Sequence, residues 1–200
     1  MNFLSKFFKK PTSSRDKKNH ESKFLPKKKA VIEERFILKF IENGGKFLYC
    51  ENLYEVQENF NLILEENKWS DDDILVTNLE IKKLYSLNNK LSNKSKHAKC
   101  FVTDCENLIA NDGSILISSN QIHEKKLNQF PQNVIVLSDT RKLKNTISEG
   151  LAEIKSNSEN IPTNITTIKN FDVIKKDIDF LSYGTSSKNL YLILLEKGFK

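Results

Sequence analysis

The segment CENLIANDGSILISS, residues 105–119, holds the densest set of reactive side chains in the sequence. The thiol of Cys105 stands between the carboxylates of Asp104 and Glu106, shortly before an Asn111-Asp112-Gly113-Ser114 turn. A catalytic thiolate needs a neighbouring base or a positive field. Two flanking carboxylates do the opposite, because like charge raises a thiol's pKa. Cys105 therefore reads as a small buried apolar residue rather than a nucleophile. Glu106 is left as the candidate functional carboxylate, set against a capping or solvated role.

An Asp-Gly step between two apolar runs supplies the positive φ of a tight hairpin turn. Any ligand contact made by Asn111, Asp112, Gly113 or Ser114 adds to that turn and does not replace it. Near the C-terminus, YGTSSKN (183–189) sets Gly184, Thr185, Ser186 and Ser187 ahead of an apolar run. The backbone N–H groups of such a loop can wrap a phosphate or carboxylate, although the same residues also make an ordinary polar turn.

Other chemistries find little support. His20, His97 and His123 are scattered, and Cys50, Cys100 and Cys105 contain no CxxC pair. No metal site, iron–sulfur cluster or other cofactor is expected from such spacing. There is no GxGxxG and no Walker-A lysine. Three cysteines, an odd number, suit a reducing cytoplasm. No apolar run approaches the ~20 residues of a membrane span, and no signal-peptide pattern is present.

The net charge of +6 is unevenly spread. Residues 1–29 hold ten Lys or Arg against Asp16 and Glu21, a net of +8, which leaves −2 for the remainder. Only Arg15, Arg35 and Arg141 among the 32 basic residues are arginine. Sequence-specific nucleic-acid readout leans on arginine forks and is not expected. Residues 1–29 read as a basic flexible tail. Within it, MNFLSKFFKK puts Phe3, Leu4, Phe7 and Phe8 on one face of a helical turn. That face suits peripheral contact between residues 1–10 and an anionic membrane, or packing on the chain's own domain or on a partner.

The elements that must position these groups begin at residue 30, with one domain expected over 30–200. Phe36, Ile37, Phe40 and Ile41 recur at helical spacing, and Gly44-Gly45 supplies a stop. Asn52 with Glu55 makes an N-cap pair for a helix through Val56, Phe60, Ile63 and Leu64. KFLYC, DILVT, AKCFVT, NVIVLS, ITTIK and NLYLILLE read as strands. Short helices are expected near Leu79–Leu87 and Ile122–Gln129. A further helix, capped by Asp139, is expected through Leu143, Ile147, Leu151 and Ile154. Strands alternating with helices argue for an α/β fold around a mainly parallel sheet.

One stretch carries a family resemblance. CFVTDCENLIANDGSILISS, a short helix, FPQNVIVLS and a capped helix together resemble the LUD domain, the family of lactate-utilisation protein C, in the short form seen in Bacteroidota. The matching positions are Ile109-Ala110-Asn111-Asp112-Gly113-Ser114, then Phe130-Pro131 with Val134 to Leu137, and finally YGTSSKNLYLILLE. The resemblance spans about residues 30–196 and is most specific over 99–140.

The resemblance implies a three-layer α/β/α sandwich like that of the sugar-phosphate isomerase and CoA-transferase group. It also implies a cytoplasmic, non-redox subunit or anionic-metabolite-binding module of lactate or organic-acid metabolism, working beside iron–sulfur redox partner subunits. The ligand is expected at the carboxyl ends of the parallel strands, between the Asn111–Ser114 turn and the Gly184–Ser187 loop. Alternatives are an acyl- or phosphosugar-processing enzyme and a membrane-surface adaptor. Relatives carry Gly-Pro-Ser-x-Thr-Ala-Asp-Ile-Glu before the last strand, whereas residues 169–185 here read KNFDVIKKDIDFLSYGT. Whether catalysis survives that change is left open.

Overall fold

A helix forms over residues 32–42 because they present Phe36, Ile37 and Phe40 to one side, with Glu33 and Glu34 at its positive end. The structure, a computed structural model, describes residues 31–89, 91–93, 97–157, 161–169 and 188–196. This first helix, α1 (Ile32–Glu42), turns at Gly44 (φ +89°) into β1 (Lys46–Cys50). The Asn52–Glu55 pair then behaves as expected. The Asn52 side chain accepts from the Glu55 N–H at 3.0 Å, and Glu55 accepts from the Glu51 N–H at 2.8 Å. Together they start α2 (Leu53–Asn67), which buries Val56, Phe60, Ile63 and Leu64.

The next elements are β2 (Ile74–Val76), α3 (Glu80–Leu84), β3 (Cys100–Thr103), β4 (Asn107–Ile109), β5 (Ser114–Ile117) and α4 (Ser119–Ile122). They are followed by β6 (Asn133–Asp139), β7 (Leu143–Lys144), α5 (Ile147–Asn157), β8 (Thr166–Ile168) and β9 (Asn189–Leu195). Five strands form a sheet in the order β1-β9-β6-β3-β2, with every neighbouring pair parallel. Both its faces are apolar, as parallel sheets require. Val102, Ile135, Leu137 and Ile193 pack under α2 and α3, while Phe101, Val134, Val136 and Leu192 pack under α1. The expected three-layer α/β/α arrangement around a mainly parallel sheet is the one present.

The α1 side also carries a second, mixed sheet in the order β7-β4-β5-β8. Its outer residues Ile109 and Leu116 pack against Ile154 of α5. Two expected helices change accordingly. Ser118 and Gln121 form a reciprocal cap that starts α4 at Ser119, and the helix stops at His123 (φ +52°) instead of running to Gln129. Asp139 caps only a 3-10 turn over Thr140–Lys142. Leu143 then leaves the helical pattern to pair with Leu108, and the next helix begins at Ile147. Residues 1–29 and the loop holding Gly184, Thr185, Ser186 and Ser187 lie outside the described residues. No helix among the described residues is long and apolar enough to cross a membrane.

Candidate functional site

Three chain segments meet at the carboxyl edge of the parallel sheet because β3 and β6 are neighbours in it, with Thr103 beside Val136. The segment Asp104–Glu106 leaves β3 for the small sheet. The segment Ser118–Gln121 leaves β5, and the segment Ser138–Lys142 leaves β6.

Among the described residues Glu106 is fixed on one oxygen only. Its Oε1 accepts from the Ser118 hydroxyl at 2.6 Å and from the Asn120 side-chain amide at 2.9 Å. Gln121 ties the same network to Asp104, donating to Asp104 Oδ1 at 3.3 Å while its own Oε1 accepts from the Ser118 N–H at 2.9 Å. From the β6 side, Lys142 Nζ donates to the Cys105 carbonyl and stands 3.7 Å from Asp104 Oδ2. Burial pulls the Lys142 ammonium towards neutrality, but Cys105, Asp104, Glu106 and Asp139 outweigh it and hold its pKa above the ordinary lysine value.

Asp139 and Arg141 form a fork. Asp139 Oδ1 accepts from the Arg141 N–H at 2.9 Å and from Nε at 3.0 Å, and Oδ2 accepts from Nη2 at 2.9 Å. Burial alone would raise the Asp139 carboxyl. The Arg141 hydrogen bonds and charge prevail and hold it below the usual carboxylate range. Glu106, Asn107, Asp139, Arg141, Lys142, Glu153 and Ile154 line a cleft of about 280 Å³. Asn107 is buried and donates to Glu153 at 2.5 Å, while its Oδ1 has no hydrogen-bond partner among the described residues. A second cleft, of about 510 Å³, opens beyond the end of β2 among Thr77, Asn78, Leu79, Asn93, Ser119, Asn120 and His123. Asn120 therefore belongs to one cleft and binds the carboxylate of the other.

The family model of the LUD domain matches residues 33–195, most of the chain. The chain belongs to the LUD domain family. A crystal structure of a DUF162 family protein from Deinococcus radiodurans is similar to it, with a TM-score of 0.56. The two share 13% sequence identity, over 86% of this chain and 100% of that one. At that identity the likeness speaks for the fold alone. Comparison with curated proteins finds no match.

In this LUD domain the Asn111–Ser114 turn points towards α1. Its loop closes with the Gly113 N–H donating to the Ile109 carbonyl at 2.9 Å, and Gly113 has φ +71°. The Asp112 carboxylate accepts from the Ser114 hydroxyl at 2.7 Å and its N–H at 3.1 Å. Asn43 donates to the Asp112 carbonyl at 2.7 Å, and Arg35 donates to Asn111 at 3.3 Å. A Cβ on Gly113 would lie 2.5 Å from backbone atoms of Lys39 and Phe40. Neither of the two clefts is lined by the turn.

Cys105 is fully buried, with Sγ 3.3 Å from the Ser138 hydroxyl. Burial pushes its thiol up to about 11, and Lys142 with the Ser138 hydrogen bond lowers it only in part. At neutral pH it is a thiol and no nucleophile. Among the described residues no three His, Cys, Asp or Glu side chains gather as a metal site. Sequence reasoning singled out Glu106 but missed Ser118, Asn120, Arg141 and Lys142. The scarcity of arginine was a usable sign, since Arg141 is one of only three. A buried cation at the opposite edge was missed as well. Lys188 donates to the carbonyls of Phe130 at 2.9 Å and Pro131 at 3.0 Å, and burial pulls its pKa down to about 8.

Proposed function

We propose that this LUD domain binds a small anionic metabolite carrying a hydroxyl group, of the 2-hydroxy-acid type, as a non-redox component of organic-acid metabolism. One observation carries the reading. Glu106 is held on Oε1 by Ser118 and Asn120, in a cleft it shares with the cations of Arg141 and Lys142. A carboxylate pinned on one oxygen keeps the other as an acceptor for a substrate hydroxyl. Arg141 spends Nε and Nη2 on Asp139, so Nη1 and the Lys142 ammonium are the groups that meet the ligand's carboxylate. A hydroxyl and a carboxylate on adjacent carbons match an acceptor and a cation in one small cleft, and 280 Å³ suits a ligand of few atoms. Electron transfer in such a pathway falls to iron–sulfur partner subunits.

Thermal-shift measurements with lactate, pyruvate, sugar phosphates and CoA esters test the reading. A true ligand at ~100 times its Kd stabilises by about 2.7 kcal/mol, which in a chain of this size raises Tm by roughly 5–10 °C. Lactate should act more strongly than pyruvate, which has no hydroxyl to offer Glu106. Glu106→Gln should abolish that preference without unfolding the protein. If no anion shifts Tm, or if Glu106→Gln responds as the wild type does, the reading fails.

A further inference from the structure

The outer face of α2 is built against its own helix. Its inner face buries Val56, Phe60, Ile63 and Leu64, and the opposite face exposes Tyr54, Glu58, Asn61, Leu62, Glu65 and Glu66. Residues 51–67 contain five glutamates and no lysine or arginine. Glu65 and Glu66 sit in the last turn, where the helix dipole disfavours negative charge. The only cation close by in sequence is the cap residue Lys68. Among the described residues none of Glu58, Glu65 and Glu66 takes part in a salt bridge. Tyr54 is 76% exposed and Leu62 54%, so the acidic face also carries two large apolar side chains.

The sequence holds the complement of this face. Residues 1–29 have a net charge of +8, and their first ten interleave Phe3, Leu4, Phe7 and Phe8 with Lys6, Lys9 and Lys10. The point of attachment is favourable too. α1 folds back on β1 through the Gly44 turn, so its first residue lies at the end of the sheet where β1 finishes and α2 begins. The N-terminal segment therefore joins the domain beside the start of α2. The 21 residues between position 10 and α1 can span ~70 Å when extended, against the ~22 Å length of a 15-residue helix.

We infer that the N-terminal segment of the same chain docks on the outer face of α2, its phenylalanines covering Tyr54 and Leu62 and its lysines pairing with Glu58, Glu65 and Glu66. Exposed ion pairs are individually weak. The tether compensates, because it presents the segment at an effective concentration on the order of millimolar. An anionic membrane competes for the same lysines, since the acidic face itself is repelled by such a surface.

The test uses the single tryptophan, Trp69, whose N–H donates to the Leu64 carbonyl at the end of α2. The three native cysteines are buried and free, so Ser5→Cys in the full chain gives one accessible thiol for a dansyl label. Docking predicts transfer from Trp69 to the label at low salt, unchanged when labelled chain is diluted into unlabelled Trp69→Phe chain. Raising salt to ~0.5 M shortens the screening length to a few ångströms and should release the label. The triple substitution Glu58→Gln, Glu65→Gln, Glu66→Gln should lower the ratio of docked to undocked chains about tenfold, the effect of three exposed pairs of ordinary strength. It should also raise co-sedimentation with phosphatidylserine vesicles. Absent transfer at low salt overturns the inference, as does transfer indifferent to the triple substitution. Transfer lost on dilution with the Trp69→Phe chain also overturns it, and would assign the segment to a second copy.

Discussion

Gly113→Ala should cost this protein about 3–4 kcal/mol, a large share of the ~5–15 kcal/mol that a domain typically has. Two separate penalties add. At φ +71° a residue with a Cβ pays ~1–2 kcal/mol for the left-handed conformation. The added methyl would also lie 2.5 Å from Lys39 C and Phe40 N and 2.8 Å from Lys39 O. Those are backbone atoms, and no rotamer change relieves the overlap. Carbon contacts settle near 3.5–4.0 Å, so α1 must retreat by ~1 Å, and a gap of that size forfeits a quarter to a half of each contact. The side chains affected are Phe36, Ile37 and Phe40, all in the core that α1 shares with the hairpin. At ~1.5–3 kcal/mol for each fully buried side chain, losing a third across three amounts to ~2 kcal/mol. Urea unfolding followed by far-UV circular dichroism measures the sum, with the slope unchanged and the midpoint lowered by roughly 1.5–2 M. Asp112→Ala in the same turn removes hydrogen bonds to Ser114 and a partly exposed ion pair with Lys169, and should cost ~1 kcal/mol. A Gly113→Ala loss no larger than that of Asp112→Ala would refute the account of why glycine stands there.

Arg141→Ala should destabilise the protein by about 1–2 kcal/mol at pH 7, less than the usual 3–5 for a broken buried pair because the arginine end is half exposed. In the wild type the depressed Asp139 pKa adds stability above pH ~4 that is lost as pH falls through the folded value. Without the Arg141 side chain most of that contribution is lost, so urea midpoints of the two proteins should converge towards pH 3 and diverge by pH 6. Lys188 binds its proton less tightly folded than unfolded, so stability should rise as pH climbs from about 8 towards the ordinary lysine range. In Lys188→Met that rise should be missing, which the same titrations at pH 7 and 9.5 would detect. Cys50, Cys100 and Cys105 are buried and free, and burial raises all three thiols. Ellman's reagent at pH 8 should therefore label none of them until urea is added, and rapid labelling of native Cys105 would contradict its assignment as inert.

What could be read from the sequence was whatever a single element decides by itself. The α1 and α2 helices and their boundaries follow from 3.6-residue spacing and from the Asn52–Glu55 cap, which involve contacts within a few residues. The run NVIVLS shows as a buried strand because both its faces are covered and every position is apolar. The small sheet fails that condition. Its strands are two to four residues long, too short for a period of two to stand out. Leu143 happens to lie four residues before Ile147, so a two-residue strand counted as a helical turn.

The site fails the condition for a different reason. Glu106 meets Ser118 and Asn120 across 12 and 14 residues, and Cys105 meets Lys142 across 37. The first two meetings follow from the β4–β5 hairpin, where Asn107 pairs with Leu116, but the third exists only because β3 and β6 are sheet neighbours, a fact that no local pattern carries. The Asn-Asp-Gly turn shows both effects at once. Its chemistry announced a hairpin correctly, yet the need for glycine comes less from the turn than from a helix backbone about 70 residues earlier that rests against it. A residue can therefore be legible in type while its reason is not. In this chain the residues with the plainest local meaning, Gly113 and Cys105, are structural. The best functional candidates are polar residues whose significance appears only when separate strands end side by side.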